Sequence, residues 1–391
     1  MKVAILGGGS VGGGVVELLA NHPNIQIEYL LVRDVNRKRD FEIPKTTKVV
    51  DDWNIIASDS SVDVVVELMG GTTLAWTIVK TCLEKRINVV TANKAMISKH
   101  MCDIESILAS FTTLAAPAFM YEAAVCGGIP IINTFIRGMA GDEIKSVYGV
   151  MNGSTNWMLE RMDKDGQTFD SLMVEAKTLG YLEADPSADI CGWDARSKLC
   201  ILARLAFGVQ LDENDVICLG IDKVSLADVD YANQEGRKLR LIAKSYRDPN
   251  TGKVHAYVMP SMVSYNSMAG NLPGATNCVC FEARYSGSNA LIGSGAGRYP
   301  TANSVVADIL EIQQRGKKGF SHHFGAVNQC SNDVFERDFL GQFYVRGCDE
   351  DEVRKSGMRF EQRGDVFTIG PCSYLDMTKV IGGKCTVIAI L

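Results

Sequence analysis

Residues 181–208, YLEADPSADICGWDARSKLCILARLAFG, place four carboxylates, Glu183, Asp185, Asp189 and Asp194, ahead of a single lysine, Lys198. Carboxylates can hold an ammonium group, and a lysine can exchange a proton with a reacting oxygen. A free lysine titrates at about 10.4, so burial or a nearby cation is needed before it works near neutrality. The same spacing has a plainer reading. Asp194 and Lys198 are i and i+4 on a helix expected from about Ala188 to Gly208, and such a pair is most often a surface ion pair worth about 0.3–0.5 kcal/mol. Leu199, Leu202 and Leu205 form an apolar set elsewhere on that helix, and a loop stiffened at Pro186 leads into it. From this stretch alone both readings stay open.

The elements that would position these residues begin at the N-terminus. KVAILGGGSVGGGVVELLANH reads as a strand, a glycine turn and a helix, with Gly7, Gly9 and Gly12 supplying GxGxxG. The first glycine allows the tight turn, the second lets backbone approach a pyrophosphate, and the third permits close packing of helix on strand. The helix start at Ser10 and Val11 offers its amides to the anion. Gly13 and Gly14 carry the run into the helix, at about 1 kcal/mol each relative to alanine. The next strand, IQIEYLLV, ends at Arg33-Asp34. An acid there suits the 2′-hydroxyl of NAD and an arginine the 2′-phosphate of NADP. Arg37, Lys38 and Arg39 follow and favour NADP, with NAD left open.

VDVVVEL and NVVTANKA read as buried parallel strands separated by helical patterns, so a doubly wound α/β sheet of the Rossmann type is expected. Ligands bind beyond the carboxyl ends of such strands, where MGGTT and ANK lie, which directs Lys94 toward the reactive end of the cofactor. A surface lysine after a strand is the plain alternative. Further on, EIKSVYGVMNGSTNWML reads as strand, turn and helix with Ser154 or Thr155 as N-cap, and DSLMVEAKTLG as a helix ending at Gly180. GSGAGRYPTANSVVADILEIQQR is a second glycine-rich loop opening a helix, with Gly297 expected near the cofactor.

The 391 residues exceed what one core usually supports, so two or three domains are expected. A net charge of −6 speaks against a nucleic-acid partner. No run has the length of a membrane span, and MKVAILGGG lacks the shape of a signal peptide, so a cytoplasmic protein is expected. The 12 cysteines are scattered. Only Cys278 and Cys280 are close, which is a poor zinc pattern, and reduced thiols are expected.

Taken together, LGGGSVGGGV, VVVELMGG, VVTANKA, YEAAVCGGIPII, GVMNGSTNWML, GYLEADPSADICGWDARSK and GSGAGRYPTANSVVADI resemble the homoserine dehydrogenase family, in order from about residue 1 to 315. The resemblance implies reversible, NAD(P)-dependent interconversion of L-homoserine and L-aspartate 4-semialdehyde, on the way to threonine, methionine and isoleucine. It implies that Lys198 is the proton donor and acceptor, that Lys94 lies near substrate and nicotinamide and is a rival for the proton transfer, with Asp194 a further catalytic residue, and that Glu183, Asp189 and Asp194 line the substrate pocket. It also implies a monovalent cation, usually sodium, held by Glu122 and the backbone carbonyls of Val125, Gly127 and Ile129, and a homo-oligomer, dimer or tetramer.

The expected domains are a dinucleotide-binding domain over 1–130 completed by 299–318, an α+β substrate-binding and dimerisation domain over 131–298, and a C-terminal extension over 319–391. Many relatives carry a regulatory ACT domain in that last position. Here DFLGQFYVRGCDEDEV and GKCTVIAIL offer strands but no DxPG signature, so a degenerate ACT-like unit or an assembly surface is expected. Two other functions fit parts of the chain. An aspartate-semialdehyde dehydrogenase would need a nucleophilic cysteine with a base partner, and none of the five histidines lies in the glycine-rich or acidic motifs. A non-catalytic NAD(P)-binding redox sensor would bind cofactor without turning over homoserine.

Overall fold

The computed structural model describes residues 1–111, 116–316, 334–383 and 385–391. They form two compact units, Met1–Gly141 with Gly293–Cys330, and Asp142–Ile292 with Ser331–Leu391. Residues 317–333, which include the end of the expected 299–318 segment and the start of 319–391, lie outside the described residues, as does Lys384.

The first unit is built on a parallel sheet of β1 (Lys2–Leu6), β2 (Gln26–Leu31), β3 (Lys48–Val50), β4 (Val64–Glu67), β5 (Asn88–Thr91) and β6 (Phe119–Met120). Their order is β3-β2-β1-β4-β5-β6, the doubly wound order anticipated from the alternating pattern. Val3 to Leu6 and Val64 to Val66 have no exposed surface, as continuous apolar runs require when helices cover both faces. The helices are α1 (Ser10–Leu19), α2 (Trp53–Ala57), α3 (Thr73–Glu84) and α4 (Lys94–Ala109), with short turns after the last strand, among them α5 (Ile131–Asn133).

The second unit opens with β7 (Ile144–Val150), α6 (Gly153–Asp165), α7 (Phe169–Thr178), α8 (Ser187–Ile190), α9 (Trp193–Phe207), β8 (Ile217–Cys218) and α10 (Leu226–Gln234). β9 (Arg237–Arg247), β10 (Val254–Ser264), β11 (Thr276–Ala283) and β12 (Gly287–Ser294) follow, and β7, β9 and β10 form the centre of a ten-stranded mixed sheet. α9 packs across β7, β9 and β10. Two details differ from the sequence reading. The N-cap of α6 is Asn152, not Ser154 or Thr155: its side chain accepts the Thr155 amide at 2.9 Å. The helix expected from Ala188 onward is two helices, broken at Gly192, whose φ of +80° no other residue type adopts without strain.

The chain then returns to the first unit as α11 (Arg298–Arg315). Its Ala302, Val305, Ile309 and Ile312 share one apolar cluster with Val15, Val16 and Leu19 of α1. This explains the glycines inside α1. A Cβ on Gly14 would lie 2.9 Å from the Ala302 methyl, so only glycine lets the two helices approach this closely.

The tail runs β13 (Leu340–Arg346), α12 (Glu350–Lys355), β14 (Phe360–Arg363), β15 (Val366–Ser373), α13 (Tyr374–Ile381) and β16 (Thr386–Ile390). The strand order β16-β13-β15-β14 with this β-α-β-β-α-β sequence is a ferredoxin-like arrangement. Set apart on sequence as an extension, its described residues are built into the second unit. β16 pairs in parallel with β10, and Phe339, Phe343, Phe367 and Met377 share a core with Tyr257 and Met259. Burying those aromatics on β10 takes more apolar surface from water than a tethered separate module could. Ten described cysteines are free thiols, whereas Cys102 is disulfide-bonded, a departure from the expectation of reduced thiols. No helix among the described residues is long and apolar enough to cross a membrane.

Candidate active site

In the first unit the glycine turn joins β1 to α1. The Gly7 amide donates to Leu31 O at 2.9 Å, which ties the turn to the neighbouring strand. A Cβ on Gly12 would sit 1.9 Å from Gly7 O, and one on Gly9 would meet nothing within 4 Å. Gly12 thus makes the close packing, and Gly9 faces open space. Gly9 supplies no side-chain cap to α1, so the amides at Ser10 and Val11 are left for an anion. This cradle fits a dinucleotide pyrophosphate. Arg33, the residue singled out for the coenzyme, is exposed beyond β2. Arg39 is nearer: its Nε and a terminal nitrogen both come within 3.5 Å of where a Gly8 Cβ would be, and it donates to Asp34 O at 2.8 Å. Gly297, with φ +119°, is the N-cap of α11, and the next residue, Arg298, bonds Glu17 at 3.1 Å and Asp40 at 2.7 Å.

Lys94 opens α4, whose N-cap Asn93 accepts the Met96 amide at 3.1 Å. The ANK loop is held by a residue the sequence reading passed over, Glu67 at the end of β4. Its carboxylate accepts Thr91 Oγ1 at 2.7 Å and the Met69 amide at 2.9 Å, while Asn93 Nδ2 donates to Gly71 O at 2.7 Å. Burial pushes the Glu67 carboxyl up against the pull of these donors. The signal was present in sequence, as an acid ending the otherwise apolar VVVE run.

In the second unit Lys198 is buried, with 9% of its side chain exposed, and Asp194 is partly buried, with 11%. Lys198 Nζ donates to Asp194 Oδ2 and to Met151 O, each at 2.7 Å. The amide of Asn152 donates to Asp189 Oδ1 at 2.5 Å and to Asp194 Oδ2 at 2.9 Å, while its oxygen accepts from Thr155. Both N–H groups are spent and the oxygen is committed to the cap, so the network itself fixes which way the amide faces. Asn152 is the member sequence reasoning missed; its position just before a helix start was the available signal. A surface ion pair, the plainer reading of the i,i+4 spacing, is thereby set aside, because burial with fixed partners is a different object. Glu183 is exposed and makes no hydrogen bond among the described residues with this set, and Asp185 is turned to Ser187 at 2.6 Å.

Gly192 brings the two acids together. On one continuous helix, residues five apart point about 140° from each other, so Asp189 and Asp194 could not reach one amide. The left-handed break re-aims them. A Cβ there would lie 3.1 Å from Val258 Cγ1 and 3.2 Å from Cys218 Sγ. Gly192→Ala is expected to lower kcat/KM for the amino-acid substrate by about tenfold or more, since left-handed strain costs about 1–2 kcal/mol before any clash. Coenzyme affinity should hold; equal losses for both ligands, or none, would remove the role given to this turn.

The expected cation ligands lie on the turn Glu122–Ala124 and the residues after it. Glu122 is buried and accepts the amides of Ile132 and Asn133 at 2.8 Å each and Asn133 Nδ2 at 2.6 Å. Gly127 O accepts Ser304 Oγ at 2.7 Å, and Ile129 O accepts the Ile131 amide at 2.8 Å. A carbonyl has two lone pairs and a carboxylate about four acceptor positions, so each of these oxygens keeps capacity for a hard cation. Consecutive left-handed residues, Cys126 at +53° and Gly127 at +42°, turn the backbone at this point.

Residues 130–310 match the family model described as homoserine dehydrogenase, and residues 7–113 the one described as homoserine dehydrogenase, NAD binding domain. The homoserine dehydrogenase of Synechocystis is 35% identical over 80% of this chain and 73% of its own length. That of Bacillus subtilis is 31% identical over 94% and 86%. A crystal structure of a homoserine dehydrogenase from Thiobacillus denitrificans superposes with a TM-score of 0.82 at 26% identity, covering 100% of this chain and 98% of that one. With both its dinucleotide cradle and its buried lysine–acid cluster inside the matched segments, the chain belongs to the homoserine dehydrogenase family.

Proposed function

We propose that this chain interconverts L-homoserine and L-aspartate 4-semialdehyde with a nicotinamide coenzyme, a step toward threonine, methionine and isoleucine. The observation that carries the reading is the hydrogen-bonded set Lys198–Asp194–Asn152–Asp189, with the lysine and the asparagine buried and the two aspartates partly so, in a chain of this family. Gly7, Gly9, Gly12 and the amides at Ser10 and Val11 would hold the coenzyme, and Gly297 opens the helix packed beside them. When bound, the coenzyme supplies hydride to the aldehyde carbon or accepts it from the alcohol.

Lys198 gives its proton to the oxygen left on that carbon in the reductive direction, becomes a neutral amine and is recharged from solvent. In oxidation the same nitrogen takes the hydroxyl proton. Asp194 and Met151 O aim the ammonium, and Asn152 keeps the two aspartates in register. Asp189 takes the substrate ammonium. Glu183 and Lys94 receive their parts, a second contact to the ammonium and polarisation of the oxygen, from the family resemblance. On the same ground the proposal includes sodium on Glu122 with the carbonyls of Val125, Gly127 and Ile129, a homo-oligomer and a cytoplasmic location.

NADP is the proposed coenzyme, with Arg39 as the group for the 2′-phosphate because it lies over the glycine turn while Arg33 is exposed. Homoserine-dependent coenzyme reduction, measured with NADP and NAD, tests both parts. Arg39→Ala is expected to raise KM for NADP by about tenfold or more, the value of a charge-assisted hydrogen bond, and to leave NAD kinetics unchanged. No homoserine-dependent reduction with either coenzyme would remove the function, and equal effects on both would remove the NADP assignment.

A further inference from the structure

Apart from the Lys198 cluster, the second unit contains a cleft of about 700 Å³ between the turn Cys191–Trp193, the loop around Asn214–Val224, and the tail elements α13, Gly382, Gly383 and Cys385–Val387. The size falls in the range of small-molecule sites. Its lining is of two kinds. Trp193, Tyr374 and Leu375 give an aromatic and apolar wall. Arg196, Lys223 and Arg337 face a single lining carboxylate, Asp222, so the cleft is cationic.

Three features make this a formed pocket. Lys223 Nζ donates to Gly383 O at 2.8 Å, which fastens the loop to the end of α13. Leu219 N donates to Val258 O at 2.7 Å and Cys218 Sγ to Cys191 O at 3.2 Å, which fix the floor. Arg196 Nε is buried without an acceptor among the described residues, and the carboxylate paired with this guanidinium, that of Glu213, stands 3.7 Å from a terminal nitrogen. A buried donor without an acceptor is a standing demand for an anion.

We infer that this cleft is a second ligand site, taking a small organic anion with an apolar or aromatic body. Its carboxylate, sulfonate or phosphate lies among Arg196, Lys223 and Arg337, and its body lies against Trp193 and Tyr374. Inorganic anions lack the second half of this match. Substrate and coenzyme are assigned elsewhere, so the cleft is occupied independently of the reaction.

The probe is 8-anilinonaphthalene sulfonate, an aromatic anion that fluoresces when its rings leave water, titrated into the full-length protein. Saturable binding is expected, and it persists in saturating homoserine and NADP. Arg337→Gln, at an exposed position that makes none of the bonds shaping the cleft, weakens it by about tenfold. Thr378→Trp, which fills the cleft from α13, abolishes it. Binding that is absent, that homoserine or NADP displaces, or that both variants leave unchanged would overturn the site. Because the readout is dye fluorescence, failure of the proposed reaction and failure of this site are separate results.

Discussion

Lys198→Ala is expected to lower kcat for homoserine oxidation by about 10²–10⁴, the span of a lost general acid or base, with coenzyme affinity preserved. The variant also leaves the partly buried Asp194 opposite Asn152 without its cation, and removing one partner of a fully buried pair costs about 3–5 kcal/mol, an upper bound here. A melting midpoint must therefore accompany the kinetics. Lys198→Arg separates the two explanations. A guanidinium keeps the charge and bonds to Asp194 and Met151 O, but it does not release a proton near neutrality. If Lys198 only held the fold together, arginine would restore turnover. If it moves the proton, Lys198→Arg stays slow although stable. Full activity in Lys198→Ala would end the proposed mechanism.

The second large effect is on stability and lies at the joint between tail and substrate-domain core. Asp228, fully buried on α10, accepts Arg346 Nε at 2.7 Å, a second Arg346 nitrogen at 2.8 Å, Tyr344 Oη at 2.6 Å and the Ser225 amide at 2.8 Å. Arg346 belongs to β13, so this carboxylate fastens the ferredoxin-like arrangement to α10. Asp228→Ala is expected to destabilise by about 3–5 kcal/mol and lower the apparent melting midpoint by about 6–20 °C. Replacing both charges, Asp228→Leu with Arg346→Met, should recover most of the loss, because no uncompensated ion stays buried. A single replacement within about 1 kcal/mol of the native protein would show that the joint does not depend on this pair.

The same carboxylate sets a pH dependence. Burial raises its proton affinity, but Arg346, Tyr344 and Ser225 outweigh that and hold it below the ordinary range. A depressed folded-state pKa contributes stability that is complete above the unfolded value, about 3.9, and is lost as pH falls through the folded value. Acid unfolding of the native protein should therefore steepen below about pH 4, and the Asp228→Leu, Arg346→Met protein should lack that part of the slope.

Much was legible without coordinates. Gly7, Gly9 and Gly12 stand at spacings that only a tight turn into a helix needs, and runs such as VVVE are apolar on consecutive residues, which marks strands covered on both faces. Local geometry decides such features, and the chain states it directly. The reach of Arg39 over Gly8 was not legible, since four basic residues in one loop are equivalent until the loop has a shape. The packing of the tail was not legible for a related reason. Strand-forming segments were visible in 319–391, but their partner, β10, lies far back in the chain, and pairing across such a gap leaves no local pattern.

The acid-rich stretch divides in the same way. The sequence by itself determined that Asp194 and Lys198 share a helix face, because that follows from 3.6 residues per turn. Only the tertiary structure decided that this face is covered, that Gly192 breaks the helix so that Asp189 turns back, and that Asn152 arrives from β7 to join both aspartates. Periodicity fixes directions around one axis; burial depends on what another element brings to it, and that is where a solvated ion pair and a buried, oriented lysine part company.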